Sequence, residues 1–269
     1  MITSFSNPKV KALRKLDQKK YRQETGLFFI EGLRTVGEAI QTGAPIQTLV
    51  IAPELLVSEF GQSLVNHPAV ADADRMAVSA EIYQKIAHKQ GPQGLGALVR
   101  QNWQALDEIK PAKNDLWIAL DAVSDPGNLG TIMRTTEAIG GQGLILLGHS
   151  TDPYDPTAVK ASMGAIFSLG LIKTDWDVFH DWTKTWQINL YGTSDGAQTD
   201  YQSIKYKRPL TLLMGSERHG LTKSQIAACH KVVRIPMEGR TDSLNLAVAT
   251  AIVLYEIFNQ SRKFVTIDL

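Results

Sequence analysis

The residues best suited to chemistry in this 269-residue chain fall in three loops. The first, DAVSDPGNLGTIMR at 121–134, joins an expected strand to an expected helix. Pro126 and Gly127 suit a tight turn, Asn128 suits a helix cap, and Arg134 follows Gly130 by about one helical turn. A guanidinium beside helix-start amides is suited to a phosphate, although a capped helix with a surface Arg explains the same residues. The second loop, LMGSERHGL at 213–221, has Gly215 for close backbone approach, Glu217 at the carboxyl end of a strand and Gly220 to release the turn. A turn with a surface Glu is the plain alternative, and His219 reads as a solvated loop histidine because no partner spacing marks it as a base. The third, RIPMEGRTDSLN at 234–245, ends a strand at Pro236, turns at Gly239, and brackets a helix start with Ser243 and Asn245. Residues 246–255 of that helix carry no charge, so it is expected to be buried and to deliver a hydroxyl and an amide to the interior. Capping by Asp242 or Ser243 would account for one of these polar groups but not for both.

Several other chemistries are disfavoured. The six histidines (67, 88, 149, 180, 219 and 230) form no HxxxH or HxH pair, which argues against a zinc hydrolase. GxGxxG after a strand, GxxxxGK[ST] and GxSxG are all absent, so the usual dinucleotide fold, the P-loop and the α/β-hydrolase elbow lack support. The one cysteine, Cys229, excludes an internal disulfide and fits a reducing compartment. No apolar run reaches the roughly 18 residues of a bilayer span. The longest, 244–255, is interrupted by Asn245 and Thr250. A cytoplasmic protein without a membrane segment is expected.

The elements that must position these loops alternate along the chain. Lys9 to Arg22 reads as a basic amphipathic arm with Val10, Leu13 and Leu16 on one side. Strands are expected at Phe28–Glu31, Thr48–Ala52, Met76–Val78 and Leu95–Val99, with helices at Leu33–Gln41, Glu54–Val65 and Ser79–His88. The polar stretch Asp107–Asp115, containing Pro111, offers little that could pack and marks a domain boundary. Beyond it the spacing predicts strands at Leu116–Asp121, Gly143–Gly148, Ile166–Ile172, Ile188–Thr193, Leu210–Met214 and Val232–Ile235, with helices that include Leu129–Ile139, Thr157–Met163 and a last one from Ser243 to about Asn259. Such alternation predicts an α/β fold with a parallel sheet covered on both faces, whose ligands bind beyond the carboxyl ends of the strands.

Charge points the same way only when counted locally. The chain sums to +1, which by itself gives no reason to expect a polyanionic partner. Residues 1–22, however, hold seven basic side chains (Lys9, Lys11, Arg14, Lys15, Lys19, Lys20, Arg22) against Asp17, leaving −5 on the remainder.

In this order, DPGNLGTIMR at 125–134, LLMGSERHGL at 212–221 and RIPMEGRTDSLNLAV at 234–248 resemble the three signature motifs of the SpoU/TrmH family of RNA ribose 2′-O-methyltransferases, of the SPOUT class. DPYDPTAVKASMGAIF at 152–167 is also similar to that family, and the resemblance covers about residues 115–258. FFIEGLRTVGEAI at 28–40, with Glu31 and Gly32, looks like the small α/β substrate-binding domain that precedes the catalytic domain in many members. Departures are mild: Leu246 and Ala247 replace the usual residues of SLNVS, and Lys160 stands where Arg is frequent.

After the basic arm at 1–22, the resemblance implies an RNA-binding α/β domain at 23–106 and a parallel-sheet α/β methyltransferase domain at 115–269 with a deep trefoil knot, which general topology rules would reject. It implies S-adenosylmethionine as cofactor, with Gly215, Ile235 and Leu244 at cofactor positions and Thr193, Met214 and Pro236 nearby. Asn128, Arg134, Glu217, Ser243 and Asn245 match catalytic or substrate-orienting positions. Arg134 is the family's favoured activator of the ribose hydroxyl, yet a guanidinium stays protonated in proteins. Phosphate binding and electrostatic lowering of the hydroxyl pKa are therefore its first expected roles. A homodimer is implied, in which one subunit's first motif completes its partner's site, and the two-domain form favours rRNA over tRNA. An inactive RNA-binding or ribosome-assembly factor and an unrelated nucleotide-using α/β enzyme are the rival readings.

Overall fold

Short leucine- and β-branched runs, separated by capped amphipathic helices, give an α/β chain. The computed structural model describes residues 1–88, 91–241 and 243–262. They form two units: Met1–Asn102 with Asp152–Ser168, and Trp103–Thr151 with the chain from Leu169 onward.

The first unit begins with helices α1 (Pro8–Lys15) and α2 (Lys19–Thr25), then β1 (Leu27–Glu31), α3 (Leu33–Gln41), β2 (Ile46–Ile51), α4 (Glu59–Val65), β3 (Asp74–Ala77), α5 (Ala80–Ile86) and β4 (Leu95–Arg100). Its sheet has the order β1-β4-β2-β3, with β4 antiparallel to both neighbours and β2 parallel to β3. The expected single basic helix over Lys9–Arg22 is instead two. The chain breaks between them because the carbonyls of Leu16 and Asp17 each accept a 2.9 Å hydrogen bond from Nη1 of Arg22 rather than continuing the helix. Nε and Nη2 of the same guanidinium both reach Oδ2 of Asp152 at 2.8 Å. Arg22 is thus 1% exposed and does not belong to the solvated cationic face, whereas the other six basic residues of the segment are exposed. Val10 and Leu13 pack with Val50, Met76, Ile82 and Tyr83, so this segment is built into the unit's core.

The second unit contains β5 (Trp103–Gln104), β6 (Leu116–Asp121), α6 (Pro126–Ala138) and β7 (Gly143–Leu147); α7 (Pro156–Ser162) then belongs to the first unit. The chain returns with β8 (Gly170–Thr174), α8 (Trp176–Thr185), β9 (Asn189–Thr193), β10 (Thr199–Asp200), β11 (Leu210–Met214), α9 (Lys223–Ala228), β12 (Lys231–Arg234) and α10 (Leu246–Ser261). All eight strands are parallel in the order β10-β12-β9-β11-β6-β7-β8-β5. β7 and β11 are buried throughout and β6 nearly so, as expected of a sheet covered on both faces.

Three expectations are corrected. Ile166–Ile172 is not one strand: Phe167 and Ser168 donate to Gly164 and Ala165 in a 3₁₀ turn, and β8 starts only at Gly170. The Asp107–Asp115 stretch is not free of packing, since Leu106 and Ile109 join the second unit's core and Trp182 Nε1 donates to the Ile109 carbonyl at 3.3 Å. Trp103 and Gln104, just before it, already form the sheet's edge strand. Finally, α10 is not buried all round. Ala247, Thr250, Val253, Leu254 and Ile257 face inward against α6 and β11, but Val248 and Tyr255 are nearly half exposed.

Candidate active site

The loops after β6, β11 and β12 meet because parallel strands put their carboxyl ends on one edge of the sheet. In the first loop the helix cap is Asp125, whose Oδ1 accepts from the Asn128 amide at 2.7 Å, not Asn128 itself. Asn128 lies in the first turn of α6 with its carboxamide free to reach outward. In the second loop, Ser216 and Gly220 exchange backbone hydrogen bonds of 3.1 and 2.9 Å, and Ser216 Oγ accepts from the His219 amide at 3.1 Å. This turn folds back on Gly215 so closely that a Cβ there would lie 2.2 Å from the Gly220 carbonyl carbon and 2.4 Å from the Leu221 nitrogen. Only glycine fits. In the third loop Asn245, rather than Ser243, caps α10: its Oδ1 accepts from the amides of Ala247 and Val248 at 2.9 and 3.3 Å. Asp242, the other expected cap, lies outside the described residues.

One hydrogen-bonded chain ties these loops together. Asn245 Nδ2 donates to Asn128 Oδ1 at 2.9 Å, and Asn128 Nδ2 donates to Glu217 Oε1 at 2.6 Å. The other oxygen, Oε2, accepts from both the amide (3.3 Å) and the hydroxyl of Ser124. Partial burial pushes the Glu217 carboxyl upward, but hydrogen bonds from the Ser124 hydroxyl, the Asn128 amide and the backbone amides of Ser124 and Asp125 outweigh it, so the group is held below its ordinary value. With both oxygens engaged, Glu217 is a fixed anion that orients Asn128; it is a poor proton acceptor.

Beside this chain lies a cleft of about 630 Å³. It is bordered by Asn128 and Glu217 and lined on its other walls by Thr193, Met214, Gly215, Ile235, Ser243, Leu244 and Asn245. Thr193 Oγ1 approaches Met214 Sδ at 3.4 Å, closing the strand side. Nine of the eleven expected site residues therefore share one cavity. Pro236 is not among the lining residues, although its neighbours Ile235 and Met237 are. Arg134 is also absent from the cleft: it is exposed on α6 and its side chain has no ion pair or hydrogen bond among the described residues. No group of three or more potential metal ligands occurs among the described residues.

The sequence reading missed Ser124, which holds Glu217, and Asp195, Arg218 and Arg234, which line the cleft. Asp195 follows β9, so the rule that placed function after strands could have found it. Ser124 left no such signal, because a small hydroxyl in a turn is commonplace.

A model of the SpoU rRNA methylase family matches residues 115–255, a span that contains every one of these loops. The chain belongs to the SpoU rRNA methylase family. An MRM3-like substrate binding domain model matches residues 7–97 of the same SpoU-family chain. It is 30% identical over 253 residues to a 23S rRNA (uridine(2479)-2′-O)-methyltransferase of Streptomyces viridochromogenes, covering 91% of this chain and 87% of that protein. Likewise it is 28% identical to the 23S rRNA (guanosine(2553)-2′-O)-methyltransferase RlmP of Bacillus subtilis, over 95% of this chain and 98% of that one. The SpoU fold also superimposes on the AdoMet-bound rRNA methyltransferase of Sinorhizobium meliloti, with a TM-score of 0.89, 36% identity and 97% of this chain and 98% of that one covered.

Proposed function

We propose that this SpoU-family chain is an S-adenosylmethionine-dependent RNA ribose 2′-O-methyltransferase whose substrate is ribosomal RNA. The observation that carries the reading is the chain Ser124–Glu217–Asn128–Asn245, which joins all three motif loops at the edge of one cleft. The cleft fits the cofactor. Gly215 leaves backbone uncovered, Met214, Ile235 and Leu244 offer apolar walls for a purine, and Thr193 and Ser243 offer hydroxyls. Relatives named as 23S rRNA enzymes, and a structural neighbour that holds AdoMet, support the same choice. An rRNA substrate would place the enzyme's work in the cytoplasm.

Bound S-adenosylmethionine supplies an electrophilic methyl group, so the protein's task is to align the ribose oxygen and help remove its proton. Asn128, fixed between Glu217 and Asn245, is assigned to orient the nucleotide; Ser243, Leu244 and Asn245 shape the pocket. Arg134 is assigned to the ribose hydroxyl and its phosphate, acting in the cleft of a second copy. Two features support this homodimer. The Arg134 side chain is exposed without a partner among the described residues, and Val248, Ala251, Ile252 and Tyr255 form an uncharged, partly exposed stripe along α10, which packs on the helix bearing Arg134. We also assign the second unit a trefoil knot. In support, β11 inserts between β9 and β6, β12 then lies outside β9, and the chain doubles back so that α10 packs on α6 and β11.

Calorimetric titration with S-adenosylmethionine, followed by transfer of its labelled methyl group to rRNA, tests this function. Ribose 2′-O-methylation of rRNA is expected. Binding without transfer to any RNA would instead support the inactive assembly factor, and absence of both would overturn the assignment.

A further inference from the structure

Two guanidinium groups line the cleft without a role in the hydrogen-bonded chain: Arg218, in the turn after β11, and Arg234, at the end of β12. Both are exposed, and neither side chain has an ion pair or hydrogen bond among the described residues. Their backbones, by contrast, are fixed. The Arg218 turn is clasped by the Ser216–Gly220 bonds and pressed against Gly215, while Arg234 is paired with Asp200 and accepts from the Tyr201 amide at 3.0 Å. His219 lines the same wall. Two carboxylates border the same cleft, but both are engaged away from these arginines: Glu217 accepts from Ser124 and Asn128, and Asp195 accepts from the Gly196 amide at 2.8 Å and the Ser194 hydroxyl at 3.4 Å, neither forming an ion pair with Arg218 or Arg234 among the described residues.

Two guanidiniums left without a carboxylate partner at one cavity offer unsatisfied donors to an anionic ligand. The proposed cofactor brings a sulfonium and an ammonium against one carboxylate, so it carries a net positive charge. An RNA phosphodiester is an anion whose oxygens match arginine's planar fork. We infer that Arg218 and Arg234 form a phosphate clamp that seats the RNA backbone beside the target ribose at the cleft mouth. The inference rests on the methyltransferase reading above and adds a substrate-binding role for two motif residues to which the resemblance assigned none.

The test compares the native full-length chain with R218Q/R234Q, R218K/R234K and R218E/R234E, using transcribed 23S rRNA as the binding probe and S-adenosylmethionine in separate titrations. For the Gln pair, rRNA affinity is expected to fall at least tenfold, and the slope of log K against log salt to flatten by roughly 1 to 2, at about 0.7–0.9 for each phosphate no longer neutralised. Cofactor affinity should stay within twofold. The Lys pair should recover most of the affinity, and the Glu pair should lose more than the Gln pair. Unchanged rRNA affinity and salt slope in the Gln and Glu pairs would overturn the clamp. So would a loss confined to cofactor binding, which would assign the guanidiniums to the cofactor's carboxylate. If the native chain bound no S-adenosylmethionine, the methyltransferase reading would fall, while the rRNA salt slopes would still decide for or against the clamp.

Discussion

In the proposed site, Glu217 would orient Asn128 as an anion without taking a proton. Its two oxygens are spent on Ser124 and Asn128, and the hydrogen bonds hold its pKa down. A depressed folded-state pKa means that the contribution of this carboxylate is fully present above the unfolded value and is lost as pH falls through the folded one. Activity should therefore show no loss attributable to Glu217 at neutral pH, and should fall only below the ordinary carboxylate range. Glu217→Gln must set an amide donor against the donors of Ser124 or Asn128, so kcat is expected to drop at neutral pH. In a double-mutant cycle, Glu217→Ala and Asn128→Ala should couple by about 0.5–3 kcal/mol in kcat/KM; additive losses would show that the two act separately. Gly215→Ala makes a sterner demand, because the atoms in the way are backbone. A tenfold or greater loss of S-adenosylmethionine affinity is expected by calorimetry, and native affinity would mean that the turn can open at little cost. The carboxylate's place after a strand could be read from the sequence, but its silence as a base could not. That depends on Ser124, which is 93 residues away along the chain.

At the scale of elements, the link between α1 and α2 depends on a single side chain. Arg22 binds the carbonyls that end α1 and the carboxylate of Asp152, 130 residues on. Removing one partner of a buried, hydrogen-bonded ion pair commonly costs about 3–5 kcal/mol. Arg22→Ala should therefore lower the melting temperature and increase protease sensitivity around residues 16–22, whereas Lys19→Ala, on the exposed face, should change neither. Equal melting curves for both variants would show that the pairing is dispensable. The period of Val10, Leu13 and Leu16 correctly marked the buried side of this segment. Composition misplaced Arg22, because a basic residue among basic residues reads as solvated until a distant acid is folded against it. The same holds for α10: its uncharged sequence suggested burial on every side, yet one stripe faces outward. In sequence, an apolar helix face left exposed reads the same as one facing a core.

For the whole molecule, the proposed dimer places Arg134 of one copy in the other's cleft, which can be tested by complementation. Arg134→Ala and Asn245→Ala should each be inactive alone. Unfolded together and refolded, they should form mixed dimers in which one site of two is intact, restoring about a quarter of native activity. No recovery would place Arg134's action within its own chain, and sedimentation as an active monomer would dismiss the dimer. The amino-acid sequence alone determined the α/β class, the parallel sheet, the three post-strand loops and the family they resemble, because strand alternation, turn residues and short polar motifs are local properties. Only the tertiary structure decided that Asn128 bridges Glu217 and Asn245, that residues 152–168 belong with the first unit, and that Arg134 stands apart from the cleft while Arg218 and Arg234 line it. Those facts depend on which strand lies beside which, and strand order is fixed by the burial of side chains far apart in sequence, which no local pattern encodes.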